Sequence, residues 1–209
     1  MPRLITFGCS KTFGHGLPDC WNAKINKPGL NPSKYAWPQL LAEKLNLTCV
    51  NLGRPGSSNR EIWWRAVNTK FESTDTVIIL WTYLNRSCII DPQTMLEPRQ
   101  LAHWGEHRES KIYAKLLGFS NDLDQELVGR QHIELTNYYI AQQNVSKIYN
   151  FSAESHNWNH SFDWANVNFL GHADFAWGNH YFDLALDNLH PGTQSHRMMA
   201  DYMQKQIER

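Results

Sequence analysis

Asp75-Thr76-Val77-Ile78-Ile79-Leu80-Trp81 constrains the fold more than any other stretch of the chain. Five consecutive large apolar residues close this run, with no polar residue alternating among them. A strand of that kind suits a parallel sheet covered on both faces, because a half-exposed antiparallel strand would alternate. Two shorter runs of the same character, Leu4–Phe7 and Cys49–Leu52, lie upstream, and Lys147 to Phe151 reads as a fourth strand. Between them the apolar spacing becomes helical. Leu40, Leu41 and Leu45 mark a helix over 36–47, and Ile62, Trp63, Ala66, Val67 and Phe71 mark one capped by Ser58 or Asn59. A long helix is expected over 122–144 and a closing one from Thr193 to Ile207.

Strands alternating with helices predict a single α/β domain over residues 1–209, a three-layer α/β/α sandwich around a mostly parallel, flavodoxin-like sheet. In such sheets the chemistry sits beyond the carboxyl ends of the strands. Three irregular stretches, 11–35, 86–120 and 152–186, each follow a strand, so they are expected to gather on one rim and line a site there. The third is unusually aromatic. Phe151, Trp158, Phe162, Trp164, Phe169, Phe175, Trp177, Tyr181 and Phe182 fall within residues 151–190. That density fits either a loop packed on itself or a wall for a ligand with an apolar or sugar-like face.

Composition narrows the function classes. Lys plus Arg and Asp plus Glu both number 20, and this balance argues against a nucleic-acid grip. No apolar run approaches the roughly 20 residues of a membrane span. The start of the chain runs straight into a strand pattern without a signal segment, so a cytoplasmic protein with four free thiols (Cys9, Cys20, Cys49, Cys88) is expected. No zinc-type cysteine spacing occurs. His103 with His107, and His156 with His160, have the i, i+4 spacing of helical metal ligands, but neither pair has a third ligand of motif quality, and no metal is expected.

Three segments carry chemistry-bearing residues at strand ends: Gly8-Cys9-Ser10, Asn51-Leu52-Gly53-Arg54-Pro55-Gly56-Ser57-Ser58-Asn59, and Asp187-Asn188-Leu189-His190 just ahead of the last helix. A serine hydroxyl becomes a nucleophile only when an imidazole takes its proton and a carboxylate fixes the imidazole tautomer. A serine at the first turn and a histidine before the last helix would meet at the sheet rim. Asp183 is a competing carboxylate, read as a loop residue. Cys9 is read as a buried structural thiol, and His196 as a capping or packing residue.

In this order, the segments resemble the SGNH (GDSL-like) hydrolase family of esterases, lipases and acyl-transfer enzymes. The resemblance implies Ser10 as nucleophile, His190 as base, Asp187 as its orienter, and backbone N–H groups of Ser10 and Gly56 in the oxyanion hole. Two departures stand out. Cys9 replaces the family's usual Asp, and the third block reads Leu80-Trp81-Thr82-Tyr83-Leu84-Asn85, where the family has Gly-x-Asn. Thr82, Tyr83 or Asn85 is left as the third donor, or there is none. The implied function is hydrolysis of a carboxylic ester, a small-molecule or glycan ester such as an O-acetylated carbohydrate, with no cofactor. Trp81, Tyr83, Trp158, Trp164 and Trp177 are the expected substrate-binding aromatics. A weak or inactive module on the same scaffold, binding a glycan or other ligand through the aromatic-rich loop, is the alternative. A nucleotide site at Gly8–Gly14 is disfavoured, since its spacing matches no phosphate-binding loop. The compact insertions resemble phage and bacterial members. Nothing in the sequence sets an oligomeric state.

Overall fold

The computed structural model describes residues 1–83, 86–90, 98–101, 108–117, 122–153, 167, 169–172 and 181–209. In chain order the elements are β1 (Arg3–Phe7), α1 (Ser10–Phe13), β2 (Trp21–Asn22), β3 (Lys27–Pro28), α2 (Trp37–Lys44), β4 (Thr48–Asn51), α3 (Asn59–Val67) and β5 (Thr76–Trp81). They continue with β6 (Ser87–Ile89), β7 (Arg99–Leu101), α4 (Arg108–Leu117), α5 (Asp122–Ala141), β8 (Lys147–Ser152), β9 (Phe169–His172) and α6 (Thr193–Ile207).

The main sheet has the order β4-β1-β5-β8-β9, and every pairing within it is parallel. Counted along the chain this is 2-1-3-4-5, the flavodoxin-like arrangement. β5 lies at its centre, and the winding direction reverses between β1 and β5. The remaining strands form two small antiparallel pairs, β2 with β3 and β6 with β7.

Strand alternation sends successive side chains to opposite faces. Leu4, Ile78, Leu80 and Phe151 join Trp37, Leu41, Met199 and Met203 of α2 and α6. Ile5, Phe7, Val77, Ile79 and Trp81 join Ile62, Ala66, Ile133 and Ile140 of α3 and α5. Each of these side chains is essentially inaccessible, and burying one contributes about 1.5–3 kcal/mol. The unbroken apolar run of β5 therefore serves two cores at once.

Two expectations are corrected. Residues 152–186 are not irregular throughout, because β9 adds a fifth strand beside β8 with a register shift at Asn150/Phe151. The helix expected over 122–144 ends at Ala141, and turns follow it to the left-handed Asn144. All four cysteines are free. No helix of the described residues is long and apolar enough to cross a membrane.

His196 ties α6 to α2. It is fully buried, and its Nδ1 accepts the Trp37 N–H at 3.2 Å. Burial disfavours the imidazolium, so the pKa falls to about 3. The unfolded chain binds that proton near pH 6.5, so stability from this group is full above pH 6.5 and drains as pH falls toward 3. Between pH 7 and pH 5 the loss is about 2 kcal/mol. Urea unfolding at the two pH values is expected to show a drop smaller by that amount in His196→Asn, whose amide oxygen can still accept the Trp37 N–H.

Candidate active site

Ser10 follows the carboxyl end of β1 and opens the single turn α1, with Cys9 as its extended N-cap and Gly14 as a left-handed C-cap. Ser10 is thus not in an open turn but at the first position of a helix, where unpaired N–H groups favour negative charge. Its carbonyl accepts from Gly14 N (3.0 Å) and His15 N (3.1 Å), which sets the path of the chain past the helix. The next side chain, Lys11, is buried and lies over the rings of Tyr83 and Tyr181, at 5.4 and 5.7 Å from their centroids.

The segment 183–192 folds back on itself through Ala185 N to His190 O (2.9 Å) and Gly192 N to Asp183 O (2.9 Å). Asp187 closes the turn inside it. Oδ1 accepts from the backbone N–H of Leu189 and of His190, both at 3.1 Å. Oδ2 lies 2.6 Å from His190 Nδ1. One carboxylate therefore shapes the loop with one oxygen and orients the imidazole with the other. Burial pushes the Asp187 pKa up, but the two N–H donors and His190 outweigh it, and the group sits below the ordinary carboxylate value. Asp183, the competing carboxylate, caps α6 instead. It accepts from Gln194 N (3.0 Å), Ser195 N (2.8 Å) and Ser195 Oγ (2.8 Å).

The two ends of the chain are locked together at Gly16. This residue has φ +85°, and a Cβ built on it would stand 2.7 Å from Asp187 Oδ1. The Leu186 N–H donates to the Gly16 carbonyl at 2.9 Å. His15 consequently packs against His190, with ring centroids 4.4 Å apart and the rings tilted by 36°, and its Nε2 is 3.6 Å from Asp187 Oδ2. No hydrogen bond joins the Ser10 hydroxyl to His190.

The middle segment is stitched to the first. Asn51 Nδ2 donates to Thr12 O (2.8 Å) while its Oδ1 accepts from Gly53 N (2.9 Å). Arg54 N donates to Gly8 O (3.0 Å). Gly56 has φ +78°, and the Gln100 side chain occupies the space a Cβ would need. Only glycine fits both demands. Beyond it Ser58 caps α3 by accepting from Glu61 N (3.2 Å).

Asn59 was readable only as a second possible cap. Its amide instead grips the residue after β5, accepting from Thr82 N (2.9 Å) and donating to Thr82 O (3.2 Å). The Thr82 amide is therefore not available to an oxyanion. The expectation that Trp81 lines a substrate wall is corrected, since the ring is fully buried and its Nε1–H donates to Asn150 Oδ1 at 2.8 Å. Tyr83 is partly exposed, with the Arg86 guanidinium 4.4 Å from its ring centroid. Asn85, Trp158, Trp164 and Trp177, and both histidine pairs, lie outside the described residues. His15 was not foreseen, and its only signal was its place between two glycines one turn beyond Ser10.

The strand order and the layers make a flavodoxin-like three-layer sandwich, a fold shared with solved lipolytic proteins and esterases. Among solved structures the chain is similar to TesA, with a TM-score of 0.60 and 12% identity over 100% of this chain and 98% of that one. A G-D-S-L-family protein from Desulfitobacterium hafniense DCB-2 gives a TM-score of 0.56 at 14% identity, covering 98% of each chain. Est2A, an acetyl xylan esterase from the rumen bacterium Butyrivibrio proteoclasticus, gives 0.57 at 13% identity over 99% of this chain and 64% of its own. No family model and no curated protein matches the sequence.

Proposed function

We propose that this protein is a serine esterase, with Ser10 as nucleophile, His190 as base and then acid, and Asp187 as the group that orients His190. The observation that carries the reading is the 2.6 Å contact of Asp187 with His190 Nδ1, seated against the loop that leaves the Ser10 helix. With Nδ1–H held by the carboxylate, Nε2 is free to take the Ser10 proton as Oγ attacks the acyl carbon. The imidazolium then gives that proton to the departing alcohol, and water activated by the same Nε2 releases the acid.

Backbone N–H groups of Ser10 and Gly56 are the proposed oxyanion donors, each worth about 3 kcal/mol. Asn85 is proposed as the third, and Tyr83, Trp158, Trp164 and Trp177 as the aromatics that meet the substrate. A short acyl ester on a carbohydrate is the proposed substrate class, in keeping with the similarity to an acetyl xylan esterase. The reaction as written needs no metal or organic cofactor. Reaction with a fluorophosphonate probe tests the reading. Peptide mapping should place the adduct on Ser10, and labelling elsewhere, or none, would count against it.

One observation favours a second reading, a glycan-binding module without turnover. Asn59 takes the Thr82 N–H, which removes one backbone donor at the end of β5. Glycan binding that survives Ser10→Ala, together with no fluorophosphonate adduct in the wild type, would select it.

A further inference from the structure

We propose that His15, Asp187 and His190 form a binding site for a divalent transition metal of the zinc class, and that its occupation switches the esterase off. Among the described residues this is the one grouping of three potential ligands that can each place an atom within 4.8 Å of the others. Two imidazoles and a carboxylate suit zinc, copper or nickel better than magnesium or calcium.

The His15 ring packs at a tilt against two others, with centroids 5.1 Å from Trp21 and 4.4 Å from His190. Its Nδ1 is buried with no hydrogen-bond partner among the described residues. Its Nε2 faces Asp187 Oδ2 at 3.6 Å, too far for an N–H···O hydrogen bond. The ring thus directs a nitrogen at a buried carboxylate without bonding to it. Two ligands bound at about 2.0–2.1 Å to one tetrahedral ion stand about 3.3 Å apart, close to that separation. The His190 Nδ1 to Oδ2 contact, now 2.6 Å, would open by about 0.7 Å as the ion replaces the proton between them.

The proton balance gives the consequence, which rests on the esterase reading, whereas the binding does not. Neutral His190 carries one proton, and Asp187 keeps it on Nδ1. A metal bound at Nδ1 moves that proton to Nε2, with none released. Nε2 then has no lone pair for the Ser10 proton, and Asp187 is committed to the ion. Hydrolysis stops at its first step.

The test uses tag-free protein and zinc chloride. Calorimetry is run on the wild type, Ser10→Ala, His15→Asn and His15→Gln, and ester turnover is measured on the same proteins with and without zinc. Wild type and Ser10→Ala are expected to bind one ion each, and both His15 variants to bind at least about 10-fold more weakly. Saturating zinc should lower wild-type turnover at least about 10-fold, and EDTA should restore it. Each His15 variant is compared with its own zinc-free rate, which the same zinc should change less than about 2-fold. No one-to-one binding, or binding that neither His15 variant weakens, would overturn the proposal. His15-dependent binding in a protein that turns over no ester would instead remove the esterase reading and leave the metal site.

Discussion

A Ser10→Ala variant is expected to hydrolyse p-nitrophenyl acetate about 10⁶-fold more slowly than the wild type. The size of the effect follows from the division of labour at the site. In the proposed mechanism His190 and Asp187 manage a proton, and only Oγ of Ser10 forms the acyl bond. Stability should not fall with activity. Ser10 Oγ donates to no group among the described residues, and alanine has the higher helix propensity at the start of α1. Parallel measurement of turnover and of the thermal midpoint checks both halves. A variant that keeps wild-type turnover above the blank would rule out Ser10 as nucleophile. A variant that loses turnover by unfolding would show Ser10 to be a support of α1.

The sheet and its surroundings were legible to different depths. The β5 run could be read because both faces of a central parallel strand are buried, which leaves no polar alternation to confuse with a surface strand. β9 could not, since Phe169-Leu170-Gly171-His172 is short, contains glycine and sits within an aromatic run that mixes apolar with polar residues. At the site, Asp187 and His190 were legible because an Asx-type turn and an imidazole contact are both local, spanning three residues. His15 and Asn59 were not. Their partners, Asp187 and Thr82, are 172 and 23 residues away in sequence, and only the folded sheet brings them within reach. Trp81 misled for the opposite reason. An aromatic residue at the end of a strand reads as a rim residue, but the side of the strand it faces is decided by one step of the pleat. That step put it against Asn150 in the core.

Asp187→Asn is expected to lower kcat by about 10⁴, no less than Asp187→Ala, although asparagine nearly matches aspartate in shape. The backbone dictates how the amide will sit. Asp187 Oδ1 accepts two N–H groups, from Leu189 and His190, and only the amide oxygen can take over that work. The NH₂ group is therefore turned toward His190, where Oδ2 stood 2.6 Å from Nδ1. An N–H donor facing Nδ1 requires a lone pair there, so the single imidazole proton moves to Nε2, and Nε2 can no longer accept from Ser10. Because the turn keeps both backbone hydrogen bonds, the asparagine variant should unfold near the wild-type midpoint, while the alanine variant loses both acceptors and should unfold earlier. A purely structural Asp187 would give the opposite ranking of activities, with asparagine close to wild type and alanine impaired. Steady-state kinetics on the two variants, set beside their thermal midpoints, separates orientation of the base from support of the loop.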